Sequence, residues 1–461
     1  MKYNRSSLLL EEPNIYKAFI IMATPVFFSN FLKSIHDVVD TFFIGQMPDS
    51  VAGQAAISMS WPLMDILLSV SLGLAVAGVS IISQHLGACD VETAKNYAGM
   101  LFVFSAGLGL FLNAVLYIFA PTVMRMLGTE GLVFENSVTY LRVRSFEIVF
   151  FMIFNAFQAM RQAAGDTTSP VIISSMAVIT NIFLTAIFVK RLGMGIYGAA
   201  LATLIAQAAI VPLALVLTFN KNSIIYLELR HFKTVFQRLK LLVKVAIPAA
   251  LGQAISSLGF LVINALILDY GPIVVAAFSN GNKISNLLLM PVFAIGSVQA
   301  AYIGQNIGAA NSARAIKAYK VGRNLALLIS SVGSIALFPL RHAAASMLSN
   351  SADVIEVCVE YMFWVLLIQP LMALYQNYMG TFNGTGKTKY SMILGSARLW
   401  CIRLPLIMFF KNFTSFGRNG IWYAMMISNI LILIVGEILL RRIDFSKIAL
   451  TRKRAAETKQ P

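Results

Sequence analysis

Long apolar runs broken by short polar joints organise this chain from end to end. Twelve such runs fall near 17–44, 52–84, 93–121, 136–160, 169–190, 196–219, 242–269, 274–305, 317–339, 356–380, 390–410 and 420–440. A helix needs roughly 20 mostly apolar residues to cross a bilayer, so each run predicts one spanning helix; the longest must tilt or reach past the lipid. Hydrocarbon offers the backbone no water, and a helix satisfies its own N–H and C=O groups there. The expected fold is an all-α integral membrane protein with twelve transmembrane helices, numbered here in chain order. Composition agrees: 58% of residues are hydrophobic, 12% are charged and mean hydropathy is +0.76, which excludes a water-soluble enzyme or binding domain.

The pattern occurs twice. A shift of 221 in the numbering lays SQHLGA (83–88) on GQNIGA (304–309) and AAIS (55–58) on AAFS (276–279), and brings Gly165 and Thr167 onto Gly386 and Thr388. A shift of 225 lays GIYGA (195–199) on GIWYA (420–424). This is one duplicated six-helix unit, and an even number of helices per unit sets both units the same way up. Two pseudo-symmetric six-helix bundles around a central cleft follow, with alternating access by rocking one against the other. The expected division is an N-lobe over 1–219, a linker over 220–244, a C-lobe over 245–445 and a basic tail over 446–461. The linker, polar and basic, reads as an amphipathic helix on the membrane surface.

A net charge of +16 raises the question of nucleic acid, and the placement of the charge answers it. Twenty-four Lys and Arg fall in the tails and in the joints on one side, six fall on the other (Arg125, Lys190, Arg191, Arg341, Lys411, Arg418), and the rest lie within helices. That bias predicts both termini in the cytoplasm and a multi-pass protein of the cytoplasmic (inner) membrane, with no nucleic-acid partner. The N-terminus has a three-residue apolar patch followed by two glutamates, so no cleavable signal is expected. Cys89, Cys358 and Cys401 are scattered and predict neither disulfide nor metal site.

No nucleotide-binding, zinc-protease or serine-hydrolase motif is present, so an enzyme is not expected. What remains is a set of intramembrane ionisable residues, the usual mark of an ion or substrate path. HDVVDTFFIG (36–45) places His36, Asp37 and Asp40 near the end of helix 1. His36 and Asp40 share a face at a spacing of four, as do Lys33 and Asp37. The second pair reads as structural. Asp40 is the leading ion site, because a carboxylate in a low-dielectric cavity is suited to binding a proton near neutral pH, with His36 adjusting it. Pro25 and Pro248 occupy matching places in helices 1 and 7, and each removes a backbone donor, so a hinge is expected at both.

The sequence VVDTFFIGQM ending helix 1, the Q-x-x-GA closing helices 2 and 8, GIYGAALAT opening helix 6 and RLPL in helix 11 resemble the multidrug and toxic compound extrusion (MATE) transporters, of the multidrug/oligosaccharidyl-lipid/polysaccharide flippase superfamily. The resemblance covers residues 15–441. It implies a cation-coupled antiporter exporting cationic or amphipathic organic compounds. Carried over by position, Asp40 matches the family's helix 1 aspartate, Asn181 its helix 5 asparagine and Thr203 a helix 6 threonine near the same cavity. The pattern then departs. Where many members carry a second aspartate four residues after the asparagine, this chain has Thr185, and helix 7 lacks the glutamate of one branch, leaving Gln253 and Asn264. One carboxylate with neutral oxygens can bind Na⁺ or take a proton; the scarcity of anionic ligands favours H⁺.

Further cavity candidates are Asn155, Lys283 and Arg403, the last being the arginine of RLPL. Glu147 is expected to pair with Arg142 or Arg144. Lys283, Arg398 and Arg403 also lend support to a lipid-linked precursor flippase with a basic cavity, and a membrane protein without transport is the remaining alternative. The expected partners are a small-molecule substrate, a coupling cation and the bilayer. No cofactor is expected beyond H⁺ or Na⁺, and the chain is expected to act as a monomer.

Overall fold

The computed structural model describes residues 5–45, 50–221, 223, 225–233, 235–349 and 351–446; the side chains of 5–7, 36–42, 44, 45, 50 and 51 lie outside the description. Twelve long helices run in order: helix 1 Ile15–Gly45, helix 2 Ser50–Gly87, helix 3 Val91–Met126, helix 4 Gly131–Ala163, helix 5 Thr168–Thr185, helix 6 Gly195–Phe219, helix 7 Phe236–Leu268, helix 8 Pro272–Gly308, helix 9 Ser312–Leu337, helix 10 Ala352–Gly384, helix 11 Thr388–Ser396 with Leu404–Phe413, and helix 12 Asn419–Arg441. Helix 5 continues as a π-helical segment, Ala186–Arg191, and a second π segment, Ala397–Arg403, lies inside helix 11. No strand occurs among the described residues. Eleven of these helices are long and apolar enough to cross a membrane. Helix 9 is the other, because Arg314, Lys317, Lys320 and Arg323 crowd its first half.

Packing cores form within each half and across the two, with Leu242, Val245 and Ala246 of helix 7 joining the N-lobe cluster and Phe19 and Met22 of helix 1 joining a C-lobe cluster. Ile81, Met100, Leu101, Phe157 and Met160, all fully buried, knit helices 2, 3 and 4. Tyr361, Leu399, Ile407 and Trp422 do the same for helices 10, 11 and 12. The duplication extends to the turns. Asp90 and Asn311, related by the same shift that reveals the repeat, each cap the following helix by accepting from the backbone N–H three residues on, at 3.1 Å from Thr93 and 3.0 Å from Arg314. The residue before each cap, Cys89 or Ala310, is left-handed at φ 59° and 57°, a conformation that costs a side-chain-bearing residue on the order of 1 kcal/mol.

Both prolines expected to act as hinges lie inside continuous helices, and each is braced by its own lobe. The Thr167 hydroxyl donates to the Met22 carbonyl at 2.9 Å, and the Thr388 hydroxyl donates to the Val245 carbonyl at 2.7 Å. Both carbonyls lie three residues before the proline, in the turn whose hydrogen bonding the proline disrupts. The repeated G-x-T thus has a physical task.

The linker differs from expectation. Helix 7 already begins at Phe236, and the joint before it is irregular apart from one short 3₁₀ turn, Leu229–Phe232, instead of an amphipathic surface helix. The reason is burial: Ile225, Leu227 and His231 are withdrawn from solvent. Leu227 N–H bonds the Thr218 carbonyl at 2.9 Å, and the His231 ring meets Glu92 at 3.2 Å. A methyl group on Gly99 would fall 2.2 Å from the His231 carbonyl oxygen, so the joint lies flat against helix 3.

The two lobes meet along helices 2 and 7, where a Cβ on Gly73 would fall 2.6 Å from that of Ala250, and again at the end of the bundle that holds the joint and the N-terminal segment. Gln84, on helix 2, donates to the Gly384 carbonyl at 3.1 Å, and Gln305, on helix 8, donates to the Ala163 carbonyl at 2.6 Å. The repeat shift carries the first donor onto the second and one acceptor onto the other, so these are the same bond made twice across the pseudo-axis. Between them the backbones cross without side chains: a Cβ on Gly87 would fall 1.9 Å from the Gln305 carbonyl oxygen, and one on Gly308 2.0 Å from that of Gln84. Gln162 donates to Ser297, and the N-terminal segment straps across the C-lobe through Asn306 and Arg314, which donate to the carbonyls of Leu9 and Glu12. Residues 77–85 and 298–307 are buried throughout. Nearer the other end of the same helices, Gln54, Ser58, Trp61, Ser279, Lys283 and Asn286 are exposed. Polar exposure in a spanning helix means a wet cleft, which here opens away from the crossing.

Since nothing at the crossing can yield except backbone, Gly87→Ala or Gly308→Ala should destabilise the purified protein by about 1–3 kcal/mol. Either change should also raise labelling of a cysteine placed at Ser83 by a membrane-impermeant thiol reagent added from the crossing end. Unchanged melting and unchanged labelling would show that the backbones do not touch there.

Candidate functional site

In the N-lobe, helices 5 and 6 bring three polar side chains together out of water. Asn181 Nδ2 donates to Thr203 Oγ1 at 3.0 Å, and Thr185 Oγ1 donates to Asn181 Oδ1 at 3.2 Å. All three residues are buried. Thr203 Oγ1 also donates to the Ala199 carbonyl at 3.2 Å, so the hydroxyl proton of Thr203 is committed to the backbone while the cluster's oxygens keep acceptor capacity. Asn181 and Thr185 sit one turn apart on one face of helix 5. The π segment that follows widens the helix directly after Thr185, a distortion that recurs at functional sites. Helix 1 packs against helices 5 and 6. The side chains of His36, Asp37 and Asp40 lie outside the described residues.

The C-lobe carries the counterpart with different chemistry. The π segment in helix 11 inserts one residue and so moves the repeat offset from 221 to 222, which lays Asn181 on Arg403 and Thr185 on Ile407. The offset of 225 lays Thr203 on Ser428. The bond is kept along with the geometry: Arg403 Nε donates to Ser428 Oγ at 3.0 Å, with Nη2 donating to Asn429 Oδ1 at 3.2 Å. Pro25 and Pro248 set an offset of 223 for helices 1 and 7, so the place of Asp40 falls to Ile263, which is buried in the apolar core. The C-lobe thus holds isoleucine where the N-lobe holds an acid, and a guanidinium where it holds an amide.

Arg398 adds a second buried cation. Its Nη1 lies 3.0 Å from the Met372 sulfur, its guanidinium stacks 4.3 Å from the Tyr375 ring centre, and its Nε has no hydrogen-bond partner among the described residues. Neither arginine has a carboxylate partner among the described residues.

The remaining candidates separate by facing. Gln253 and Asn264 are exposed on helix 7, three turns apart on one face, and Lys283 is exposed on helix 8. Asn155 is not a cavity residue: it is buried and donates to Ser71 at 2.8 Å, tying helix 4 to helix 2. Arg403 is likewise withdrawn from the cleft into the bundle, 3% exposed, because helix 12 supplies its acceptors. Glu147 pairs with Arg144 at 2.7 Å, both buried, while Arg142 reaches the Tyr117 carbonyl instead. Asp65 is half-buried on helix 2; its facing is not legible in the sequence, because it needs the helix phase that only the inter-lobe crossing supplies.

Two cavities flank the helix 1 region. One, about 20 Å³ and room for a single water, is lined by Asn30, Lys33, Gln158 and Gln162 of the N-lobe among others. The other, about 310 Å³, is lined by Phe19, Ile20, Phe27, Pro291 and Ile329 among others. It is apolar and lies between helix 1 and helices 8 and 9.

The architecture is shared with known proteins. The chain is 24% identical over 420 residues, 89% of its length and 90% of the other's, to the probable multidrug resistance protein YoeA of Bacillus subtilis. It is 27% identical over 414 residues, 88% and 90% of the two chains, to an FAD transporter of Shewanella oneidensis. Its fold matches, with a TM-score of 0.89 at 23% identity over 95% and 97% of the two chains, a structure described as the outward-facing conformation of a multidrug resistance MATE family transporter. The family profile described as MatE matches residues 25–187 and again residues 248–409, ranges that hold the glutamines and glycines of the crossing and Asn181 and Arg403. This chain, with its doubled six-helix unit and twelve-helix fold, belongs to the MatE family of transporters.

Proposed function

We propose that this transporter exports cationic or amphipathic organic compounds in exchange for an inward-moving cation, H⁺ in preference to Na⁺, by rocking its two lobes about the cleft. The observation that carries the reading is the buried Asn181–Thr185–Thr203 cluster on the helices against which helix 1, bearing Asp40, packs. The scarcity of anionic ligands supports H⁺: Asn181, Thr185 and Thr203 offer only neutral oxygens beside the single carboxylate of Asp40. A proton needs only the carboxylate.

The charge bias of the joints supports a cytoplasmic-membrane protein with both termini in the cytoplasm, and in that orientation the cleft opens outward. In this state a proton from outside can reach Asp40, neutralise it and weaken its hold on a cationic substrate. Linkage requires the reverse as well: substrate binding expels the ion. Turnover then calls for breaking the Gln84 and Gln305 bonds at the crossing while helices 1 and 7 flex at Pro25 and Pro248. A monomer suffices for this cycle.

A second reading, export of an anionic substrate such as a lipid-linked precursor, is favoured by the two buried arginines without described carboxylate partners and by Lys283 in the cleft. An FAD transporter stands among the relatives.

Dye efflux from proteoliposomes under an imposed pH or sodium gradient tests the proposal. Asp40→Asn should fold normally and lose gradient-driven efflux, while His36→Gln should shift only its pH dependence. Full proton-driven efflux by Asp40→Asn would move the coupling site elsewhere. Thr185→Asp restores a second acid to the cluster and should displace the pH optimum or admit Na⁺ as the coupling ion. A transport profile identical to that of the parent protein would place helix 5 outside the ion path.

A further inference from the structure

Helix 9 carries three basic side chains that neither the ion site nor the crossing employs. Lys317 and Lys320 are exposed and Arg323 is half-buried, and none of the three has a carboxylate partner among the described residues. Glu437, on the far side of Tyr319, accepts instead from Arg441 at 2.9 Å and from Tyr378 at 3.2 Å, and Glu12 of the N-terminal strap meets Lys17 at 3.8 Å. Arg323 turns to a neutral group: its Nε and Nη2 each donate to Asn324 Oδ1 at 3.3 Å, and Asn324 Nδ2 reaches the Tyr16 hydroxyl on helix 1 at 3.5 Å. The bases therefore stand at the seam between helices 1 and 9. Lys320 lies one turn before Asn324 and Lys317 one turn before that, on a helix without proline.

The 310 Å³ crevice begins where this seam ends. Leu325, next after Asn324, and Ile329 form its helix 9 wall; Ile20, one turn beyond Tyr16, Thr24 and Phe27 form its helix 1 wall, with Pro291 of helix 8 behind. Thr24 spends its hydroxyl on the Ile20 carbonyl at 2.7 Å. A water held there would lack the two to four polar partners that it needs. Ile20 and Thr24 are exposed, so the crevice is reached from the lipid-facing surface of the bundle. A basic mouth over an apolar slot calls for an amphipathic anion.

The duplication shows that this surface is normally covered. Counted on from the two helix caps, the offset of 221 lays Gly99 on Lys320 and Phe102 on Arg323. In the N-lobe the chain covers that surface itself: the joint lies on Gly99, and Phe102 meets Phe232 of the joint with ring centres 6.2 Å apart. In the C-lobe the tail after helix 12 is the wrong partner, since Lys447, Arg452, Lys453, Arg454 and Lys459 outnumber Glu457 and like charges repel. At the depth where a spanning helix enters the bilayer, the complementary anion is a lipid headgroup.

We infer that the helix 1–helix 9 seam is a binding site for an anionic phospholipid, with the phosphate at Lys320 and Arg323 and one acyl chain in the crevice below. The site lies outside the cleft, at the closed end, and its walls come from helix 1 on one side and helices 8 and 9 on the other. Its occupant thus holds an N-lobe helix to the C-lobe and stabilises the state with the crossing closed. This goes beyond the exporter reading and does not depend on it, because binding is measured without a gradient.

The test is native mass spectrometry and thermal melting of the full-length protein in detergent, titrated with dioleoylphosphatidylglycerol or dioleoylphosphatidylcholine. The anionic lipid should bind roughly tenfold or more tightly, the scale of two basic groups at a membrane surface, and should raise the melting temperature further. Lys320→Gln with Arg323→Gln should fold and bring the two lipids to near parity, while Lys233→Gln with Lys240→Gln, an equal loss of charge from the joint, should leave the preference intact. Ile20→Trp narrows the crevice and should weaken the anionic lipid by a similar factor. Glycerol 3-phosphate, a headgroup without chains, should not stabilise the protein at the same concentration. Equal binding of the two lipids by the parent protein would overturn the inference. So would the same loss in the joint variant as in the helix 9 variant, undiminished binding by Ile20→Trp, or stabilisation by glycerol 3-phosphate equal to that by the lipid.

Discussion

The bilayer gives an exposed backbone carbonyl nothing to bond, and the place where this constraint bites hardest is the crossing of helices 2 and 8. Gly87 and Gly308 let two helices meet backbone to backbone, and at that distance the C-terminal carbonyls of helices 4 and 10 come within reach of Gln305 and Gln84. Without the glycines the glutamines could not cross, and without the glutamines those carbonyls would lack these donors. Everything further along the helices follows from this closure. The lobes are pinned at one end, the cleft is left open at the other, and polar side chains there can be wet without facing lipid. The contact is also reversible in kind, consisting of neutral hydrogen bonds of modest net strength and shape.

Duplication supplied the frame, and divergence within it supplied the chemistry. The same helix-to-helix bond is made by Asn181 with Thr203 in one lobe and by Arg403 with Ser428 in the other. One half keeps a neutral, buried cluster next to the helix that carries Asp40. The other has built a permanent cation into the equivalent place and filled the acid's position with Ile263. On the proposed coupling through the N-lobe, a matching site in the second lobe is not needed, and the Arg403 guanidinium repels cations there. Parallel repeats related by an axis along the membrane normal can diverge in this way because equivalent positions meet different neighbours in the two lobes.

The prolines show the same economy. Pro25 and Pro248 disturb helices 1 and 7 at matching points, and Thr167 and Thr388 take up a carbonyl in the disturbed turn. The motif containing both threonines is visible as a repeat in the sequence, yet its purpose is not, because donor and acceptor are 145 residues apart in one lobe and 143 in the other.

Much of this protein is legible without coordinates. Hydrophobic runs count helices because lipid admits few alternatives, and one constant shift in numbering reveals the duplication because both copies still solve the same packing problem. Asp40 stands out because a charge in hydrocarbon needs a reason, whereas Asn181, Thr185 and Thr203 are picked out only through the resemblance to the MATE transporters. What the sequence leaves open depends on helix phase and on neighbours distant along the chain. Asn155 and Arg403 look like cavity residues by type and depth, but Ser71 and Asn429 draw them into the bundles. The linker reads as an amphipathic helix, whereas burial of Ile225, Leu227 and His231 against helix 3 stabilises an irregular path instead. Hydropathy and periodicity are local quantities and so fix the elements; which polar face meets which is a property of packed pairs of helices, and only the tertiary structure decides it.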